Sequence, residues 1–188
     1  MSSCYDGSFI CQNPLYLDFD EITAQELLNP PSAHEIINHS TYCTWLPINE
    51  EDIIGNLTHK MYLKGLEGKT GLYHLWIDHE NCTDHDTRTM LSVYVGKGFA
   101  KDRINSHIKG KWPNPDEVSL YASFYECSNR ISKYLEQLFL DKYNFILNEY
   151  ENPGTEKLYA VWDEERHFLG TEANEVSNLS TIRSMEDL

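Results

Sequence analysis

The chain has 188 residues and a mass of 21.9 kDa, enough for one ordinary domain with a real core, or a small domain plus an extension, and too little for two full domains. Hydrophobic residues at 40%, charged at 24% and aromatic at 12% exclude a disordered chain, which lacks the apolar surface needed to offset ordering entropy. A formal net charge of -15 excludes indiscriminate nucleic-acid binding, because counterion release needs a positive surface.

The opening "MSSCYDGSF" has neither the basic head nor the apolar stretch of a secretory signal. The longest apolar runs, "LSVYV" and "LYAVW", are strand-sized and far short of a membrane span, so no membrane partner is expected. Cys4, Cys11, Cys43, Cys82 and Cys127 are odd in number and lack paired short spacings. They read as reduced thiols, which points to a cytoplasmic or nuclear location.

Residues 1 to 69 hold the helical candidates "DEITAQELLN", "SAHEIINHS" and "NEEDIIGNLTHKMYL", separated by proline breaks. They predict a helical N-terminal extension. At Gly71 the texture changes to "GLYHLWI" and "MLSVYVG", rich in aromatic and β-branched residues, which predict two paired strands joined by a long loop, "DHENCTDHDTRT". "KDRINSHIKG" predicts a short helix with Ile104 and Ile108 toward a core and Arg103 and His107 one turn apart.

"VSLYASFYE" alternates as a third strand, with Leu120, Ala122 and Phe124 on one side and Tyr121, Ser123 and Tyr125 on the other. "SNRISKYLEQLFLDKYNFIL" predicts a helix capped by Ser128, with Ile131, Leu135, Leu138 and Leu140 inward and Glu136 directed away from that stripe. The order over 70 to 152 is strand, strand, helix, strand, helix. Beyond it, residues 153 to 188 predict an edge strand at "KLYAVW" and an acidic tail.

Charge is unevenly placed. Lys97, Lys101, Arg103, Lys109 and Lys111 fall within fifteen residues opposed only by Asp102, and such a cluster acts locally because distant charges are screened beyond about 10 Å. Tyr73, Tyr94, Arg103, His107 and Glu136 complete a set suited to phosphodiester hydrolysis: a proton acceptor for water, a clamp on phosphoryl charge, and an oxygen ligand for a divalent ion. Taken singly, the tyrosines read as strand aromatics, Arg103 and His107 as a solvated helix face, and Glu136 as a partner of Lys133. His79, Cys82 and His85, interleaved with acidic residues, read as a polar hairpin loop or, failing a fourth ligand, an incomplete metal site.

"GLY" at 71 to 73, "YVG" at 94 to 96, "KDRINSH" and "LEQLFLDKYNFILN", in that order, resemble the GIY-YIG endonuclease superfamily. "YVGKG" followed by arginine and histidine is most similar to the nuclease domain of LEM-domain ankyrin-repeat proteins, without any ankyrin or LEM pattern in this chain. The resemblance implies an α/β fold with a small three-stranded mixed or antiparallel sheet flanked by helices, and a metal-dependent endonuclease. Tyr94 or Tyr73 would position or deprotonate water, Arg103 would neutralise the scissile phosphate, and Glu136 would hold one Mg²⁺ or Mn²⁺.

By the same resemblance His107 would contact phosphate or assist proton transfer, and Asn148 would buttress the site or, as asparagine does, end the helix. Lys97, Gly98, Lys101, Lys109, Lys111 and Asn148 would line the nucleic-acid path. DNA is implied ahead of RNA, and the acidic surroundings predict weak, salt-sensitive binding focused on one groove, with branched or accessible ends favoured over random duplex. The chain departs from the pattern in its long first loop, in Leu72, and in its acidity. Two rival expectations stand beside the nuclease: a domain binding a protein partner through its acidic surface, and a nuclease covered by its own N-terminal half. The glutamate-dotted C-terminus is similar in composition to export tails of bacterial effectors injected into host cells.

Overall fold

The computed structural model describes residues 31–48, 58–110 and 118–170, apart from 39, 41 and 84; the fold is that of the unit that begins at Ala33. In chain order it comprises α1 (Ala33–Asn38), β1 (Tyr42–Leu46), α2 (His59–Tyr62) running into a 3₁₀ turn (Leu63–Leu66), β2 (Thr70–Cys82), β3 (Thr87–Phe99), α3 (Ala100–Gly110), β4 (Leu120–Glu126), α4 (Asn129–Lys142), β5 (Tyr159–Asp163) and α5 (Glu164–Leu169). The candidate helix at 20 to 29 and most of that at 49 to 63 lie outside the described residues, as does Lys111.

The strands form one five-stranded sheet in the order β1-β4-β2-β3-β5, every pairing antiparallel. The expectation of three strands is therefore corrected to five. The expected trio is its centre, and strands from either side of it close the edges: β1, within the stretch read as a helical extension, and β5. The change of texture near residue 70 thus marks no break in the sheet. "YCTWL" has the aromatic and β-branched content of a strand, but its brevity and the following Pro47 gave it the look of a break.

The long loop expected between the first two strands is also corrected. β2 and β3 run on as a hairpin to Cys82 and Thr87, with register shifts between Leu75 and Trp76 and between Asp78 and Glu80. Its polar residues are exposed on a ribbon that projects beyond the core, where no apolar alternation is required.

Both faces of the sheet are covered. On one, Leu72, Trp76, Met90, Val95 and Tyr121 pack with Leu135, Phe139 and Leu140 of α4. On the other, Tyr73, Leu75, Val93, Tyr94 and Phe124 pack with Leu63 and Leu66 and with Ala100 and Ile104 of α3. The expected alternation of β4 holds, since Leu120, Ala122 and Phe124 join the second cluster and Tyr121 the first. In α4 the Ser128 hydroxyl caps the helix by accepting from Ile131 N at 3.3 Å. The inward stripe there uses Phe139 in place of Leu138, which is 46% exposed, because 135 to 139 is the closer match to one helical turn.

The stretch after β5, read as the start of an acidic tail, folds back onto the sheet as α5. Asp163 caps it by accepting from Arg166 N at 2.7 Å. Arg166 donates to the carbonyls of Ile37 and Asn38 at 2.5 and 2.7 Å and to Ser40 Oγ at 2.6 Å, satisfying the end of α1. His167, buried, donates through Nε2 to Asp78 Oδ1 at 2.8 Å, and Tyr121 donates to the other oxygen at 3.2 Å.

His74 on β2 is buried with its ring edge-on to Phe139 at 4.8 Å, and burial holds its pKa down from 6.5 to about 3. The folded state keeps it neutral while the unfolded state binds a proton below 6.5. Its contribution is therefore intact above pH 6.5 and is lost as pH falls toward 3, at about 1.4 kcal/mol per pH unit. Urea denaturation across this window should show the decline, and His74→Phe should flatten it; parallel profiles for the two proteins would contradict the assignment.

Candidate active site

The site begins with the irregularity of the central hairpin. Tyr73 lies opposite Gly96 and Leu75 opposite Tyr94, but Trp76 lies opposite Ser92, so Val93 is an extra residue. A bulge places two successive side chains on one face, and Val93 and Tyr94 both join the cluster that contains Tyr73. The two phenol rings consequently stack, with centroids 6.0 Å apart.

Glycine makes the arrangement possible. A Cβ at Gly96 would lie 2.5 Å from the Tyr73 hydroxyl and 2.7 Å from Tyr94 Cε1, so the ring of Tyr73 lies across a position that admits no side chain. At Gly71 a Cβ would meet the Tyr125 carbonyl and Phe124, the latter at 2.8 Å. Gly71 and Gly96 are thus both required by close approach.

The third ring comes from α3. His107 Nε2 is 3.2 Å from the Tyr73 hydroxyl, and its ring is 4.3 Å from that of Tyr94. Burial raises the pKa of both phenols, Tyr73 the more strongly. A hydrogen bond from Tyr73 acts the other way on Tyr94, as does the Arg103 charge. The hydrogen bond that links the two phenols raises the pKa of Tyr73 and lowers that of Tyr94, so Tyr94 is the easier of the two to ionise.

The remaining residues are arranged around this trio. Arg103, one turn before His107, is exposed, and both it and Glu136 act electrostatically on the two phenols. Glu136 on α4 forms an ion pair with Lys97, which lies opposite Leu72 on the α4 side of the sheet. The carboxylate and the phenols thus approach the end of β3 from its two faces.

Gly98 follows with φ of 99°, turning the chain into α3. Lys101 is paired with Glu67 at 2.8 Å. Lys109 is exposed at the end of α3 and acts with Lys60, after burial, to lower the His59 pKa.

Asn148 has a definite task. β5 pairs with β3 only from Thr87 to Leu91, so the backbone beyond needs other partners. Leu147 N donates to the Val93 carbonyl at 3.0 Å. The Asn148 amide then accepts from Val95 N at 3.1 Å and donates to Val95 O at 3.0 Å, imitating a neighbouring strand between Tyr94 and Gly96. The amide is thus engaged with the Val95 backbone, which makes Asn148 a buttress of β3. Asn152, which the sequence reading passed over, supports it by donating to Asn148 O at 3.2 Å and Phe145 O at 2.9 Å. Two asparagines one turn apart in "NEYEN" were the available signal.

Glu136 has the donor chemistry for a hard divalent cation. Such ions are held by one or two carboxylates together with substrate phosphate and water, and the Glu136 side chain is 17% exposed with Lys97 on one oxygen. Among the described residues there is no cluster of three or more His, Cys, Asp or Glu able to hold a metal; the hairpin residues His79, Cys82 and His85 form none, although Cys82 Sγ and His85 Nδ1 are 3.2 Å apart. Comparison with protein-family models, curated proteins and solved structures gives no match.

Gly96→Ala should displace both phenols at a cost of about 1–3 kcal/mol, read by urea denaturation together with the His107 imidazole resonances; an unshifted spectrum would show that the strand yields instead. Asn148→Ala should destabilise by about 1–3 kcal/mol through the unmet Val95 groups. Amide exchange at Val95 should accelerate with it, and a protected amide would contradict the buttress.

Proposed function

We propose that the protein is a metal-dependent endonuclease of GIY-YIG type that hydrolyses nucleic-acid phosphodiester bonds, DNA in preference to RNA. The observation that carries this reading is the cluster of Tyr73, Tyr94 and His107, brought together from three separate elements, with Arg103 and Glu136 acting electrostatically on both phenols. An ordinary pair of strand aromatics has no need of it. Also in support, the order strand, strand, helix, strand, helix over 70 to 142 agrees with what the motifs imply.

In this mechanism the phenolate form of Tyr94 takes a proton from the attacking water, and Tyr73 and His107 position its ring. Arg103, exposed and close to the phenols, binds the scissile phosphate and neutralises charge as it develops. Glu136 holds the metal, which when bound supplies Lewis-acid stabilisation of the phosphoryl oxygens. Lys97 moves from Glu136 to a phosphate oxygen as substrate arrives, since an ammonium between a carboxylate and a phosphate can exchange partners at little cost.

The Lys97–Glu136 ion pair also favours a second reading, in which the carboxylate is permanently neutralised and the domain binds a protein partner without catalysis. The two are separated by incubating labelled linear, supercoiled and branched DNA and single-stranded RNA with Mg²⁺ or Mn²⁺. The nuclease should cut in a metal-dependent way, and Arg103→Ala and Glu136→Ala should each lower the rate by about a thousandfold or more, by analogy with phosphoryl-transfer arginines. Because Tyr94 ionises above the ordinary phenol range, the rate should climb with pH through neutrality, and Tyr94→Phe should abolish that climb. Well-folded protein that cuts none of these substrates would select the binding module.

A further inference from the structure

Beside Glu136 lies a cleft of about 340 Å³ that the motifs do not mention. Its walls are Lys97 and Glu136 together with Arg130, Lys133, Tyr134 and Gln137 of α4. Arg130, Lys133, Tyr134 and Gln137 follow a helical spacing of three, four and seven, so they share one face of α4. That face is turned away from the core residues Leu135 and Phe139. Glu151, with φ of 52°, also lines the cleft.

Resting on the nuclease reading, we propose that this cleft is a subsite for one unpaired nucleotide next to the scissile phosphate. Arg130 and Lys133 take its phosphate, and Tyr134 stacks on its base. The cleft shares Lys97 and Glu136 with the candidate active site, so a strand cut there has its neighbouring nucleotide within reach. Arginine offers a fork that fits phosphate oxygens and lysine a mobile point charge. Tyr134 is 43% exposed and flanked by both cations, the combination by which single strands are held.

Size and charge favour an unpaired nucleotide over duplex. The volume of about 340 Å³ is at the low end of the ~300–1,000 Å³ found for small-ligand clefts, a size that matches one nucleotide. A base within a duplex has both π-faces covered by its neighbours, so stacking on Tyr134 requires it to be free. Glu151 opposes the phosphate contacts, which leaves stacking as a larger share of the binding than it would be in a wholly basic groove. The amide of Gln137 is committed to Asp141 Oδ1 at 2.8 Å, and it acts as a wall. Stacking is tolerant of base identity, so the subsite recognises strandedness rather than sequence.

The test uses the full chain in EDTA, so that binding is read without cutting. Fluorescence anisotropy compares a labelled oligothymidylate with a blunt duplex of the same length. The oligothymidylate should bind the more tightly. Tyr134→Ala should weaken it roughly 5- to 100-fold, Tyr134→Trp should preserve it, and the double variant Arg130→Ala/Lys133→Ala should weaken binding and flatten its salt dependence. Glu151→Gln should tighten it, a gain that misfolding cannot imitate.

Equal affinity for duplex, no binding at all, or indifference to Tyr134→Ala would overturn the subsite. In Mg²⁺ the same proteins are then given a duplex with and without a single-stranded flap. Oligothymidylate binding without cleavage of any substrate would overturn the nuclease reading and leave the subsite standing. Cleavage that ignores both the flap and Tyr134→Ala would overturn the subsite and leave the nuclease.

Discussion

The backbone of Val95 is satisfied by a single side-chain amide, that of Asn148, and the geometry of the site follows from that pairing. β3 outruns its edge partner β5, and an unpaired strand end would fray or recruit another chain. Two hydrogen bonds from a side chain fix it where the fold needs it straight after a bulge. With Val95 held, Tyr94 on one side faces Tyr73 and Gly96 on the other lies beneath the Tyr73 ring. A loop residue thereby sets the positions of three aromatic rings that it does not touch. The cost of burying two phenol oxygens is offset by passing hydrogen bonds between them.

Charge is organised by the same economy of pairing. In a chain of formal net charge -15, the cations of the basic segment are divided in purpose. Lys97 and Lys101 are each matched with a carboxylate from another element, while Arg103 stands exposed on the first turns of α3. The Lys101–Glu67 pair, open to solvent on the glutamate side, contributes little to stability, about 0–1 kcal/mol, and serves less to hold the fold than to keep the lysine in a defined place. An acidic protein arranged in this way presents a small cationic area instead of a positive surface, which suits selective contact with a polyanion.

The centre of the sheet was legible in the sequence because its residues obey simple periodicities. Gly71, Tyr73, Tyr94 and Gly96 lie in aromatic and β-branched runs, Ile104 and Ile108 are one turn apart, and Ser128 sits at the head of an apolar stripe. Of the two edges, β5 was expected at "KLYAVW", whereas β1 was not, because its partner is remote. Nothing local in "YCTWL" says that it will pair with residues 120–124, and nothing in "DEERHFLG" says that Arg166 will reach Ile37. The hairpin was cut short for a different reason: its outer half is solvated on both faces and carries no apolar alternation. The bulge at Val93 has no sequence signature either, yet it decides the direction of Tyr94. The sequence therefore offered the residues of the aromatic cluster as candidates, and it held no sign of why Tyr73, Tyr94 and His107 meet.

The reach of Arg166 back to Ile37 spans 129 residues, and this has a consequence for synthesis. On a ribosome adding ~5–20 residues per second, the end of α1 waits on the order of ten seconds for the side chain that satisfies it. β1 waits for β4 for somewhat more than half as long. During that interval the nascent chain exposes the apolar faces of α1 and β1 with an open strand edge, the condition in which chaperones engage a chain. Such remote pairings slow folding in general. Completion of the sheet is thus a late event in the life of the molecule, governed by the order of translation as much as by the strength of any contact.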